Sequence, residues 1–147
     1  MCDKHKVKYS INDALFSIRR CVGSLALLED HCGVPTERCR NCAEKHLMVS
    51  HERFNEVETE LDVLEAEEFG REATTIECTT KEMVKVLEKV PKKLNDLASL
   101  FYTEIGNVPA SQRTPENWRK VGQRARTVRR WMQKMFNISK VAHGRTL

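Results

Sequence analysis

The chain is predicted to be all-α, a four-helix bundle-like arrangement with a long central helix, and three observations carry that prediction. Six glycines and four prolines in 147 residues leave few of the turns that many short strands need. Apolar residues recur every three or four positions in four separate stretches, the period that keeps them on one face of a helix. No stretch keeps the apolar–polar alternation of a half-buried strand. The length suits one helical domain with a real core.

The first helix is expected from Ser10, with Asp13 completing a capping-box pattern. Ile11, Ala14, Leu15, Ile18, Val22, Leu25 and Leu28 form its stripe, and Gly33 with Pro35 should stop it. Thr36 can cap the second helix and Gly70 can end it, so residues 10–70 read as a helical hairpin. Its seam, Ala43, Leu47, Ser50, Phe54, Val57, Leu61 and Leu64, keeps a nearly strict 4-3-4 spacing. That second rod outlasts the first helix, which predicts further cover for Phe54, Leu61 and Leu64 from other helices or another chain.

The third helix spans 79–105, from Thr79 with Glu82 as a second capping box. Met83, Leu87, Val90, Leu94, Leu97, Phe101 and Ile105 hold phase across Pro91, which favours a kink over a break. "GNVPASQRT" is a loop. Thr114 then caps a basic helix over 114–137, with Pro115 at its first position, where the missing N–H costs least. Trp118, Val121, Ala125, Val128, Met132 and Met135 are its apolar stripe, and residues beyond 137 read as a C-terminal tail.

Charge is segregated along the chain. Residues 1–48 carry +2, residues 49–104 carry −7 and residues 105–147 carry +9, within a net charge of +4. An acidic middle and a basic end either neutralise each other in the fold or serve an anionic partner. The N-terminus "MCDKHKVKYS" has no apolar stretch behind it, so no signal peptide is expected. No run approaches a membrane span. A cytoplasmic setting follows as the expectation, with the six cysteines as thiols or metal ligands rather than disulfides.

Three cysteines and a histidine crowd into "CGVPTERCRNCAEKHL", residues 32 to 47. Cys39, Cys42 and His46 are spaced i, i+3 and i+7, so they share a face at the start of the second helix. Zinc needs four such donors at one point, and Cys32 can arch over from the end of the first helix. The expected metal set is therefore Cys32, Cys39, Cys42 and His46, with His31 and Cys21 as substitutes. The competing reading is plain burial, since free cysteine is among the most buried residue types. A thioredoxin-like redox role needs a strand feeding the C-x2-C helix, and none precedes it.

The string "CRNCAEKHL" also resembles the C-x2-C-x2-K-H helix opening of small, largely uncharacterised proteins encoded by tailed bacteriophages. Cys39, Cys42, Lys45 and His46 are the matching positions. The resemblance implies a viral origin, with the host cytoplasm or a virion as the setting, and supplies no activity.

Enzyme signatures are incomplete. Helical di-iron sites use E-x-x-H, but Leu28, Ala43, Met48 and Lys140 stand three residues before His31, His46, His51 and His143. Glu65 and Glu68 supply one magnesium-type E-x-x-E, yet no glutamate precedes an aspartate by three. There is neither a phosphate loop nor a nucleophile elbow.

Arg119, Lys120, Arg124, Arg126, Arg130 and Lys134 fan around the fourth helix opposite its apolar stripe. Arg129 sits at the border of that face. Such a surface suits phosphates or carboxylates. Pairing with carboxylates such as Glu58, Glu65 or Glu68, or with a partner's acidic groups, favours assembly; freedom from such pairing favours nucleic acid. The expected protein is a non-enzymatic structural or interaction module, a phage virion or accessory component with a zinc-stapled hairpin. The alternative is a nucleic-acid-binding protein using the fourth helix. Its expected partners are another protein or its own copies, with no membrane and no small-molecule substrate.

Overall fold

A computed structural model describes the backbone of residues 3–33, 39–68 and 75–145, and side chains within 13–33, 39–63 and 81–140. Among the described residues there are four long helices: α1 (Asp3–Gly33), α2 (Arg40–Glu68), α3 (Thr75–Phe101) and α4 (Pro115–Arg145). A π-helical turn, Tyr102–Gly106, closes α3, and a 3-10 turn, Ala110–Gln112, precedes α4. Among the described residues there is no strand. The expected all-α bundle is the fold.

Helix neighbours run antiparallel in an up-down-up-down square. α1 packs most extensively on α4 and then on α2, and α3 closes on α4. The α2–α3 edge is the lightest of the four. The register is fixed by named contacts. Ser24 meets Ser50 across α1 and α2, Glu29 meets Arg126 and Arg129 across α1 and α4, and Asp96 meets Arg124 across α3 and α4.

All four apolar stripes point inward. Ile18, Leu25 and Leu28 of α1, Leu47, Phe54, Val57 and Leu61 of α2, Met83, Leu94, Leu97 and Phe101 of α3, and Trp118, Val121 and Val128 of α4 form one buried cluster. Ser50 replaces an apolar residue in the α2 seam because its small side chain lets α1 approach. Its hydroxyl lies 3.0 Å from Ser24 Oγ and 2.8 Å from the carbonyl of His46, to either of which it can donate.

Several boundaries differ from those the sequence predicts. α1 starts at Asp3 instead of Ser10, so the Ser10–Asp13 pair lies inside the helix rather than at its start. The first helix therefore matches the second in length, and α2 has no overhang. Phe54 and Leu61 are covered within the one chain, which removes the geometric reason for another copy there; the side chain of Leu64 lies outside the described residues. α2 begins at Arg40, and Thr36 lies outside the described residues. α3 runs through Pro91 without a break, as its unbroken stripe predicts. α4 continues to Arg145, so most of the expected tail is helical: nothing in "NISKVAHGR" terminates it.

The start of α4 follows the predicted chemistry. Thr114 Oγ1 accepts the Asn117 N–H at 3.2 Å and its carbonyl accepts the Trp118 N–H at 3.2 Å. Further along, Gly122 lets α1 and α4 touch. A Cβ there would lie 3.1 Å from Cys32 Cβ, an atom that moves only with its backbone. Gly122→Val should therefore destabilise the protein by about 1–2 kcal/mol through overpacking. Gly122→Ala should cost much less, because a helix-propensity gain of about 1 kcal/mol offsets the smaller clash. Urea unfolding of both variants checks this, and a neutral Gly122→Val would show that the contact can relax.

Candidate functional site

One end of the bundle gathers the end of α1, the start of α2, the π-turn and the start of α4. Cys39 stands just before α2 and acts as its N-cap. Its carbonyl accepts the Ala43 N–H at 3.1 Å, and its Sγ lies 3.5 Å from the Cys42 N–H. A sulfur thus occupies the place that an oxygen usually fills. Hydrogen bonds from the Cys42 amide and thiol, together with the Asn41 amide and the nearby Arg113 charge, hold the exposed Cys39 thiol below its ordinary pKa.

His31, in the last turn of α1, closes the corner. Its Nε2 lies 3.0 Å from both the amide nitrogen and the carbonyl oxygen of Cys39. As an acceptor it satisfies the amide, which places the ring proton on Nδ1; as a donor it bonds the carbonyl. The His31 ring stands 6.2 Å from the ring of His46 and 5.9 Å, edge-on, from Trp118. Burial, followed by the charges of His31 and Lys45, lowers the His46 pKa and favours its neutral ring.

The expected metal quartet is only partly assembled. Cys39, Cys42 and His46 lie on the corner, but Cys32 does not join them. It faces α4, buried beside Gly122, and lines a groove of about 370 Å³ with Gln123 and Arg126. The reason is rotational: one residue along a helix turns the side chain by about 100° at 3.6 residues per turn, and Cys32 falls on the stripe that α4 covers. His31 takes the corner position instead. Cys21 is also excluded, buried between α1 and α2 with its thiol 3.7 Å from the Ser50 carbonyl. Among the described residues no three His, Cys, Asp or Glu side chains converge on a single point. Cys78 lies outside the described side chains.

The four described cysteines divide into two classes. Burial pushes the Cys21 and Cys32 thiols up to about 12, with the charges of Glu56 and Glu29 adding respectively. Cys39 and Cys42 are exposed. Brief alkylation of the reduced native protein at neutral pH should therefore label Cys39 and Cys42 and spare Cys21 and Cys32 until denaturant is added. Peptide mapping reads the outcome, and native labelling of Cys32 would contradict its packing against α4.

The basic face of α4 is largely spoken for. Arg126 and Arg129 each place Nε 2.6 Å from a different oxygen of Glu29. Arg119 pairs with Glu116 at 2.7 Å, Arg124 with Asp96 at 3.6 Å and Lys120 with Glu104 at 3.8 Å. The carboxylates are those of α1, α3, the π-turn and α4 itself, not the expected Glu58, Glu65 or Glu68 of α2. α2 sits diagonally across the square from α4, which is why its charges are out of reach; the side chains of Glu65 and Glu68 lie outside the described residues. Arg130 and Lys134 have no carboxylate partner among the described residues. They flank Trp131, whose ring has Lys134 and Lys93 each 5.5 Å from its centre.

No helix among the described residues is long and apolar enough to cross a membrane. No protein-family model, curated protein or solved structure matches this chain.

Proposed function

We propose that the chain is a non-enzymatic interaction module: a helical bundle that completes its own core and docks onto another protein or a second copy. The observation that carries this reading is a pair of exposed apolar side chains on the outward face of α1. Phe16 and Leu27 are 60% and 53% exposed. They stand eleven residues apart, about three turns, and therefore on one line of the helix. Arg20 covers the Phe16 ring at 5.5 Å, and Gly23 leaves the line flat between them. A flat apolar line edged by charge suits a helix laid alongside it. The neutralisation of α4 supports the same reading, because most of the cations suited to nucleic acid are already paired with carboxylates of this chain. The resemblance of "CRNCAEKHL" to tailed-phage proteins makes a virion or accessory component the setting we propose.

Sedimentation at micromolar to millimolar concentration, alone and with co-expressed neighbours, tests the reading. The complex should weaken in a Phe16→Glu, Leu27→Glu variant that keeps its helicity. An assembly indifferent to both substitutions would remove the docking line.

One observation favours a second reading, nucleic-acid binding. Trp131, partly exposed between Lys93 and Lys134 and next to Arg130, is a stacking surface with cations beside it. If it is used, binding to single-stranded DNA or RNA should fall steeply with salt, and Trp131→Ala should abolish it.

A further inference from the structure

We infer that the α1–α2 corner is a zinc site whose four ligands are His31, Cys39, Cys42 and His46, with Cys32 outside it. The donors are two thiols and two imidazoles, the set that zinc takes in closed tetrahedral structural sites. Cys39 and Cys42 open α2, and His46 follows Cys42 by four residues, hence on the same face. His31 reaches this face from α1. Its ring touches the Cys39 backbone at 3.0 Å and neighbours His46 at 6.2 Å between ring centres. All four groups therefore border one corner, although they do not converge in the arrangement described here.

Two of the donors are held by contacts that a metal would replace. His31 Nε2 is held at the Cys39 backbone, and Cys39 Sγ at the Cys42 N–H. Hydrogen bonds of this kind each contribute little net stability, whereas coordination of zinc by four such donors stabilises a fold strongly. Side-chain rotation at four positions is thus far cheaper than the coordination it permits. The same comparison cannot rescue Cys32, whose inclusion would pull α1 from α4 at Gly122. Two thiolates with two neutral imidazoles cancel the charge of a divalent ion, which suits a corner backed by Trp118. Binding would displace protons from the thiols to solvent, so affinity should rise with pH as they ionise.

Cobalt(II) and zinc titrations of the reduced full-length protein, with optical and mass readouts, test the site. We expect about one metal per chain, with visible cobalt bands of tetrahedral intensity and sulfur-to-cobalt charge transfer from two thiolates. Zinc should displace the cobalt. Cys42→Ser and His31→Asn should each weaken binding by on the order of 100-fold or more, while Cys32→Ser should leave stoichiometry and affinity unchanged. Helicity by circular dichroism separates loss of a ligand from loss of the fold. Three results overturn the assignment: octahedral, thiolate-free cobalt spectra; metal binding lost in Cys32→Ser but kept in His31→Asn; or a reduced, folded protein that takes up no metal.

Discussion

Trp118→Ala is expected to lower the free energy of unfolding by about 3–5 kcal/mol, the range for deleting a large buried aromatic. Trp118 is fully buried and is the largest such side chain among the described residues. It stands in the first turn of α4, where His31 of α1 packs edge-on against it. Helices cannot close around a cavity of that size when Thr114 and Pro115 fix the entry of α4 just before it. Against a typical total of about 5–15 kcal/mol, the variant should be marginal. Urea unfolding measures it, and a loss below about 1 kcal/mol would mean that the α1–α4 end collapses freely. Trp131→Ala is the control, since Trp131 is partly exposed at the edge of the core and should cost less.

Glu29→Ala should cost about 2–3 kcal/mol and should convert a neutralised contact into a repulsive one. The Glu29 side chain is 15% exposed and gives one oxygen to each of two guanidiniums. Breaking a fully buried ion pair costs about 3–5 kcal/mol; we take less because Arg126 is 55% exposed and water screens it. Removing the acid leaves Arg126 and Arg129 facing one another without a counter-charge, so added salt should partly restore the variant while changing the parent little. The same contact sets an acid limit. Burial pushes the Glu29 pKa up, but hydrogen bonds from Arg129 and Arg126 and their charges outweigh it and hold the pKa below the ordinary glutamate value. A depressed folded-state pKa gives stability that is fully present above the unfolded pKa, near 4.5, and lost as pH falls through the lower folded value. Glu29→Ala should lack this component of acid sensitivity, and parallel acid titrations of both proteins would reveal it.

Periodicity made the core legible. The seam Ala43, Leu47, Ser50, Phe54, Val57 and Leu61 is buried at every position, and so is the α4 stripe from Trp118 to Met135. Helix ends were less legible, because Ser10 and Asp13 satisfy a cap pattern whether or not a helix begins there. "DKHKVKY" contains no breaker, so α1 simply starts earlier. The cysteine corner shows a different limit. Spacing placed Cys39, Cys42 and His46 together, but the choice between His31 and Cys32 depended on which of two adjacent residues α4 covers. Gly122 settles that, ninety positions away, and no local pattern encodes it. The arginine partners were hidden for the same reason: charge totals predict cancellation, while topology decides which carboxylates lie within reach.

The clamp between Glu29 and Arg129 joins residues 100 positions apart, and this bears on how the protein is born. α1 emerges from the ribosome well before its main partner, α4. At about 5–20 residues per second, the interval between them is on the order of 5–20 s. Until α4 arrives the nascent chain can bury Leu25 and Leu28 only against α2, so this part of the core stays incomplete. A slow synthesis rate should prolong its exposure, and chaperones that shield a nascent helical hairpin should raise the yield of folded chain.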